Sequence, residues 1–214
     1  MKIRYNAPVI LTFSLASTII FIISQVVPGF GDLFVVPGTG MPFNFLSLES
    51  LKLVSYIFGH ANWEHLIGNF SIILLAGPVL EEKYGSVRMF VMILFTAVVT
   101  GLFNVLLLPN PSLGASGIAF MLILLISVTN VRRGEIPLTL IAIIAIFVTK
   151  EVIQIFNPNN RINEAAHLLG GLCGGVFGFI FAREKKPKDK NPDQGPPSGK
   201  PDIYISPTDP GTMS

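Results

Sequence analysis

Six long apolar segments dominate the sequence and constrain its fold more than any other feature. They cover residues 7–27, 64–80, 87–108, 116–131, 136–156 and 164–182. A helix that crosses a bilayer needs about 20 predominantly apolar residues, so the second, fourth and sixth segments look short. Half of the 214 residues are hydrophobic and only 13% are charged, against about 25% charged in an average soluble domain. The pattern predicts an all-α, polytopic membrane protein with six transmembrane helices.

The first segment is predicted to be a retained transmembrane helix and not a signal peptide. Its apolar stretch is too long for a signal peptide, and no small-residue cleavage site follows it. Lysines and arginines concentrate before the first segment, after the second, after the fourth and after the sixth. Because such charges mark cytoplasmic connections, both termini are predicted to be cytoplasmic, in the plasma (cell inner) membrane.

Two regions lie outside the apolar segments. Residues 28–59 form the predicted first outer loop, whose part SLESLKLVSYIF is amphipathic enough to lie in the membrane interface. Residues 183–214 contain seven prolines and little apolar content, which predicts a disordered cytoplasmic tail after a membrane core of residues 1–182. The bilayer is therefore a predicted partner. No nucleic-acid motif is present, and the single cysteine, Cys173, gives no basis for a disulfide, a metal site or a cofactor.

The few polar residues of the segments lie near one side of the membrane. His65 and Asn69 are four residues apart, so they share one face of the second helix. His60 lies just before that helix, His167 lies one turn into the sixth, and Ser116 opens the fourth. Because even-numbered helices all begin on the outer side, these groups can meet there.

His65, Ser116 and His167 are predicted to share one depth. Each lies 16 residues before a charged residue that marks the cytoplasmic face, namely Glu81, Arg132 or Arg183. Sixteen helical residues rise about 24 Å, against a hydrocarbon core of about 30 Å. The fourth helix is then too short to span, and the preceding LPNPSLGA must dip into the membrane beside protein or water.

Small residues recur at intervals of four along the sixth segment: Ala166, Gly170, Gly174 and Gly178. Such a ridge lets the backbone of a neighbouring helix approach closely, and Gly117 is the candidate to face it on the fourth helix. That approach would bring His167 within hydrogen-bond reach of the Ser116 hydroxyl.

This combination of groups is the chemistry of a serine hydrolase. A neutral imidazole, here His167, activates a serine hydroxyl as a general base. The backbone N–H of Ser116, together with His65 and Asn69, can donate hydrogen bonds to the oxyanion of the intermediate. Glu164 is the only nearby carboxylate and is expected to face the interface, so the residues indicate a Ser–His dyad.

Other interpretations of the same residues stay open. A serine at a helix start more often bonds to its own helix, His60 suits a capping or loop-anchoring role, and Asn69 suits helix–helix contact. A transporter or channel could use the histidines as a solute path, although the segments contain almost no charged residues. An inactive relative that binds membrane helices is the third class, although both serine and histidine are present.

Three ordered motifs resemble the rhomboid family of intramembrane serine proteases. HANWEHLIGN (60–69) is similar to the family pattern of two histidines and an asparagine on the second helix. GASG (114–117) is similar to its catalytic-serine motif, and AHLLGGLCG (166–174) to its histidine-and-glycine pattern on the sixth helix. The turn LEEKYGSVRMF (80–90) also looks like that of the family. The resemblance covers about residues 7–182.

The resemblance implies a six-transmembrane-helix rhomboid-like bundle whose active site opens to the outer side. It implies a serine endopeptidase that cuts a peptide bond in or near the transmembrane helix of single-pass membrane proteins. Ser116 would be the nucleophile and His167 the general base. His65, Asn69 and the Ser116 backbone would form the oxyanion hole.

The resemblance also assigns supporting positions. His60 would support the site near the loop, and Gly114, Gly117 and Gly170 belong to the matching motifs. Phe120 stands where some members of the family have a tyrosine stacked under the histidine. It can stack on His167 but cannot donate a hydrogen bond.

Overall fold

The computed structural model describes residues 5–129 and 164–182. Between these ranges it describes the single positions Leu138, Ile141, Ala142, Ala145, Ile146, Thr149 and Ile153. The predicted fifth helix, 136–156, lies outside the described residues apart from these positions, and the predicted tail, 183–214, lies outside them altogether.

The described residues form an all-helical fold, as the apolar pattern predicts. The α-helices are α1 (Pro8–Val26), α2 (Lys52–Ser55), α3 (Trp63–Tyr84), α4 (Ser86–Leu107), α5 (Ser116–Thr129) and α6 (Glu164–Ala182). Turns of 3₁₀ helix cover Phe30–Phe34, Leu48–Leu51 and Tyr56–Phe58. Four helices, α1, α3, α4 and α6, are long and apolar enough to cross a membrane, whereas the apolar α5 is shorter. The described part of the chain is thus a multi-pass membrane bundle.

Local sequence explains where α3 begins and ends. The Asn62 side chain caps its start by accepting the backbone N–H of His65 at 2.8 Å. Gly85, with φ 85°, ends α3 and lets α4 start at once. The second segment is therefore not short: α3 has 22 residues, because the helix continues past the apolar run into the charged LEEKY sequence.

Glu81 explains how a charged residue fits inside this extension. The side chain is 2% exposed, and its two oxygens accept the backbone N–H groups of Val9 and Ile10, each at 3.0 Å. These N–H groups belong to the first turn of α1, where no intrahelical acceptor is available. Glu81 therefore points into the protein, beside the first turn of α1, and its level at the cytoplasmic face stays a prediction.

The small-residue ridge of α6 packs directly on α5, as predicted. A Cβ atom added at Gly170 would overlap the carbonyl oxygen of Gly117, and one added at Gly174 would overlap that of Met121. A Cβ at Gly178 would lie 2.7 Å from Val128. The two backbones are in contact because these positions carry only hydrogen.

The first outer loop is bonded to the segment that leads to Ser116. Val36 and Ser112 exchange two backbone hydrogen bonds of 2.9 Å as an isolated antiparallel bridge. The buried Asn104 donates to the carbonyls of Pro37 (3.0 Å) and Asn110 (3.1 Å). The irregular backbone before α5 thus has protein partners, which such backbone needs at membrane depth.

Candidate active site

Ser116 and His167 lie in hydrogen-bond contact, although 51 residues separate them in sequence. Ser116 is the first residue of α5 and His167 lies one turn into α6. The Ser116 Oγ atom is 2.7 Å from the His167 Nε2 atom, and both residues are partly exposed. A short contact between a hydroxyl and an imidazole is the arrangement that general-base activation requires.

The glycines next to this pair explain the contact. Gly117 follows Ser116 directly, and Gly170 follows His167 by one turn. Because the hydrogen at Gly170 touches the Gly117 backbone, α6 approaches α5 at the level of the pair. The contact between Ser116 and His167 is therefore a consequence of backbone packing and not of long, flexible side chains.

Phe120 packs against one face of the His167 ring. Its ring lies one turn after Ser116 and is stacked on the His167 ring, with 5.3 Å between centroids and 19° between planes. Phe120 is itself buried. The expected stacking is present and restricts the orientation of the His167 ring without offering it a proton.

Gly114 is where α3 meets the serine segment. Its φ of 122° is unfavourable for a residue with a side chain. A Cβ there would lie 2.7 Å from the Cε1 and Nε2 atoms of His65 and 3.6 Å from the Nδ2 atom of Asn69. The His65 ring and the Asn69 amide therefore lie against the backbone two residues before Ser116.

The backbone of Ser116 offers a further donor. The first hydrogen bond of α5 runs from the Ala119 N–H to the Ala115 carbonyl (2.9 Å). The N–H of Ser116 therefore belongs to the helix start, where N–H groups have no intrahelical acceptor and the helix dipole favours negative charge. Together with the His65 and Asn69 side chains beside Gly114, it gives the region around the start of α5 three possible donors.

His60 is buried behind these donors. Its Nδ1 atom is 3.2 Å from the Phe58 carbonyl oxygen, and its Nε2 atom is 3.1 Å from Asn69 Nδ2. The rings of His60 and His65 meet edge to face at 5.1 Å. Burial, with a smaller contribution from His65, lowers the pKa of His60 to about 4, so this ring is neutral at pH 7.

Glu164 differs from the expectation. The side chain is 5% exposed at the start of α6, so it does not face the membrane interface. A helix N-terminus favours a carboxylate, which explains how the group is tolerated there. Within residues 5–129 and 164–182, no three His, Cys, Asp or Glu residues form a group that could hold a metal ion.

Sequence reasoning missed the residues that hold the site in place. The Tyr56 carbonyl accepts the Gly114 N–H at 2.9 Å, and the Tyr56 hydroxyl is 2.5 Å from Thr100 Oγ1 on α4. Asn104 bonds both the first outer loop, at Pro37, and the segment before α5, at Asn110. Thr100 and Asn104 are polar residues inside an apolar helix, which is a usable signal for a buried role, whereas the sequence around Tyr56 carries no comparable signal.

Comparison with known proteins finds relatives of the same family that the sequence motifs resemble. The sequence profile of the Rhomboid domain matches residues 47–184, which is more than half of the chain. The chain is also 30% identical over 136 residues to Rhomboid-like protein 11, chloroplastic, of Arabidopsis thaliana. That alignment covers 56% of this chain and 49% of the relative, so the chain spans about half the length of that protein. Ser116, His65, Asn69 and His167 all lie within the matched range, and the chain belongs to the rhomboid family.

Proposed function

We propose that this protein is an intramembrane serine endopeptidase that uses Ser116 and His167 as a catalytic dyad. The observation that carries the proposal is the 2.7 Å contact between Ser116 Oγ and His167 Nε2. Both side chains are partly exposed, as the access of a peptide bond and of water to the site requires. A serine whose hydroxyl bonded only to its own helix would not support this proposal.

The chemistry proceeds in two steps. His167 Nε2 takes the proton of the Ser116 hydroxyl while Oγ forms a bond to the carbonyl carbon of the substrate. When the intermediate collapses, the C–N bond breaks and the leaving nitrogen takes the proton from His167. A water molecule, activated by the same imidazole, then hydrolyses the acyl-serine ester and regenerates the hydroxyl.

The oxyanion of each intermediate needs donors that are already in place. The Ser116 N–H offers one donor at the start of α5, and the side chains of His65 and Asn69 offer N–H groups from α3. The position of both side chains beside Gly114 supports their role, because Gly114 lies two residues before Ser116.

The proposed substrates are single-pass membrane proteins, cut in or near the transmembrane helix close to the outer membrane face. Small and helix-weakening residues would favour cleavage, because a peptide bond must leave its helical hydrogen bonds to enter the site. Both termini would be cytoplasmic in the plasma (cell inner) membrane, as the distribution of positive charge predicts.

Labelling with a fluorophosphonate probe in liposomes tests the nucleophile. We expect the wild type to be labelled, and Ser116→Ala and His167→Ala to lose labelling. Ser127→Ala is the matched control, because Ser127 lies on the same helix and its hydroxyl donates to the Ile123 carbonyl at 2.7 Å. Equal labelling of the wild type and Ser116→Ala would overturn the proposal.

A further inference from the structure

His60 occupies a position that the proposed chemistry does not explain. It is 5% exposed and touches neither Ser116 nor His167 in any contact of the described residues. A residue that only anchored the loop would need one hydrogen bond to the backbone. His60 has a second polar contact, with Asn69, and that contact leads towards the site.

The first contact fixes the tautomer of the ring. A carbonyl oxygen can only accept a hydrogen bond, so the Phe58 carbonyl at 3.2 Å requires a proton on Nδ1. The lowered pKa of His60 agrees with a neutral ring at pH 7. The Nε2 atom then carries a lone pair and can only accept.

The tautomer in turn fixes the amide of Asn69. Because Nε2 accepts, the Asn69 atom at 3.1 Å must be the donor Nδ2, and the opposite orientation would set the amide oxygen against a lone pair. Nδ2 carries two hydrogens, and His60 uses one of them. The same nitrogen lies 3.6 Å from the position that a Cβ of Gly114 would occupy, so the atom that carries the second N–H is beside the serine segment.

The turn that contains the Phe58 carbonyl is held in place by contacts on both of its sides. Phe58 ends the 3₁₀ turn that begins with Tyr56, whose own carbonyl holds the Gly114 N–H at 2.9 Å. Gly59 has no room for a side chain, because a Cβ would lie 2.5 Å from the Phe34 carbonyl oxygen. One rigid turn thus holds both the serine segment and the histidine that contacts Asn69.

We propose that His60 is a positioning residue that orients the Asn69 amide so that an Nδ2 hydrogen faces the oxyanion. The proposal rests on the proposed function for its catalytic consequence, whereas the Phe58–His60–Asn69 bonds stand on the structure alone. His60 itself does not touch the reacting atoms. Its contribution is to exclude the amide orientation in which an oxygen would face a developing negative charge.

Two substitutions separate this role from loop anchoring. His60→Gln places an amide oxygen near the position of Nε2, so it keeps an acceptor for Asn69. His60→Asn places an amide nitrogen near the position of Nδ1, so it keeps the donor to Phe58 and loses the acceptor. With a single-pass substrate in liposomes, we expect kcat to fall about 10- to 100-fold in His60→Asn and to stay within about threefold of wild type in His60→Gln, with KM unchanged in both.

A double-mutant cycle with Asn69→Ala shows whether His60 acts through Asn69. In the Asn69→Ala background, His60→Asn should lower kcat by less than about twofold, because no amide remains to be oriented. Equal losses in the two backgrounds, or wild-type kcat in His60→Asn alone, would overturn the proposal. Thermal unfolding of each variant identifies any loss of kcat that follows from loss of folded protein.

A spectroscopic measurement tests the bonds independently of catalysis. The chain has three histidines, so ¹⁵N labelling of histidine gives three imidazoles, which can be assigned with the variants. We expect a protonated Nδ1 and an unprotonated Nε2 for His60 at pH 7.5, with the Nε2 signal shifting in Asn69→Ala. A protonated Nε2 would overturn the proposal even in an active enzyme. An inactive wild type with the expected tautomer would instead overturn the proposed function and the catalytic role of Asn69 while leaving the bonds intact.

Discussion

Helix α3 has buried polar groups at both of its ends, and the two ends are built differently. At the C-terminal end, both carboxylate oxygens of Glu81 accept backbone N–H groups of α1. At the N-terminal end, Asn69 gives one N–H to His60 and keeps another, and His65 lies against Gly114. Glu81 is bonded to the main chain through both of its oxygens, whereas Asn69 has a second N–H group that His60 does not use.

The difference indicates how to distinguish structural from functional polar groups in a membrane bundle. A buried carboxylate that accepts two backbone N–H groups is tolerated because its charge is compensated, and it has no reason to meet a substrate. Groups with unused donors, close to a partly exposed pair of hydroxyl and imidazole, are suited to chemistry. The following predictions test this contrast from the largest expected effect to the smallest.

Ser116→Ala should separate activity from stability most sharply. We expect kcat to fall on the order of 10⁴-fold or more, because the nucleophile is removed. The free energy of unfolding should stay within about 0.5 kcal/mol of wild type, as for a substitution that removes no packing. Hydrolysis of a single-pass substrate and thermal unfolding in detergent measure the two quantities. If Ser116→Ala hydrolyses the substrate as fast as the wild type, the serine end of the comparison is wrong.

Acid should lower the free energy of unfolding through His60, which lies just before α3. The pKa of His60 is lowered to about 4, whereas an unfolded histidine titrates near pH 6.5. Below about pH 6.5 the unfolded state binds more protons, so the free energy of unfolding falls with pH until His60 itself is protonated near pH 4.

The loss over this interval is on the order of 3 kcal/mol for a pKa lowered by this amount. Unfolding at pH 7.5 and pH 5, in the wild type and in His60→Gln, measures the part of this loss that falls above pH 5, which is about 2 kcal/mol. The other titratable group that faces His60 is His65, which is present in both proteins. The variant should lose less stability than the wild type, and identical pH dependence would contradict the titration of His60.

Gly170→Ala should damage the site through the backbone. A methyl group there overlaps the Gly117 carbonyl, so α5 and α6 must separate and Ser116 must move away from His167. We expect a loss of about 2–3 kcal/mol in the free energy of unfolding and at least about a tenfold loss of kcat.

Gly175→Ala is the matched control for this experiment, because a Cβ at Gly175 has no neighbour within 4 Å. It should retain wild-type activity and stability. If both alanine variants behave like the wild type, close contact between α5 and α6 is not what brings the dyad together.

Glu81→Gln should lower stability and leave activity unchanged, which is the opposite of the effect expected for Ser116→Ala. Glutamine keeps one acceptor oxygen, so either the Val9 or the Ile10 N–H loses its partner, at a cost of about 1–3 kcal/mol. Activity per folded molecule should be unchanged. Glu82→Gln, at an exposed neighbouring position, should change neither quantity, and a loss of kcat in folded Glu81→Gln would show that the two ends are coupled.

Phe120→Leu should have the smallest effect. It removes the ring stacked on His167, a contact of about 0.5–1.5 kcal/mol, which corresponds to roughly a 2- to 10-fold lower kcat. Phe120→Tyr keeps the stacking and should be close to wild type. Substrate hydrolysis measures both, and a leucine variant with full activity would show that the ring does not orient the imidazole.

The parts of this fold that depend on local pattern could be predicted from the sequence. Apolar run length marks the helices, and glycines four residues apart on α6 indicate the contact that brings His167 to Ser116. The parts that depend on distant partners could not be predicted. Glu81 and Glu164 were predicted to lie at the membrane surface, because the sequence does not show that the fold buries both side chains.

The outer loop illustrates the same limit. The bridge between Val36 and Ser112 joins residues far apart in sequence, and neither lies in a periodic pattern. The contact of His60 with Asn69 was also beyond prediction, because their nine-residue separation crosses the start of a helix. Motif spacing identifies the candidate site residues, but the residues that they contact are seen only in the folded structure.

The bridge between Val36 and Ser112 also has a consequence for domain boundaries. The family match starts at residue 47, yet Val36 and Pro37 are bonded to Ser112 and Asn104, which hold the segment that leads to Ser116. A chain cut back to the matched range would lose the Val36 partner of the Ser112 N–H and carbonyl groups and the Pro37 acceptor of the Asn104 amide. Truncation experiments designed on the match alone would therefore discard residues that bond the segment before Ser116.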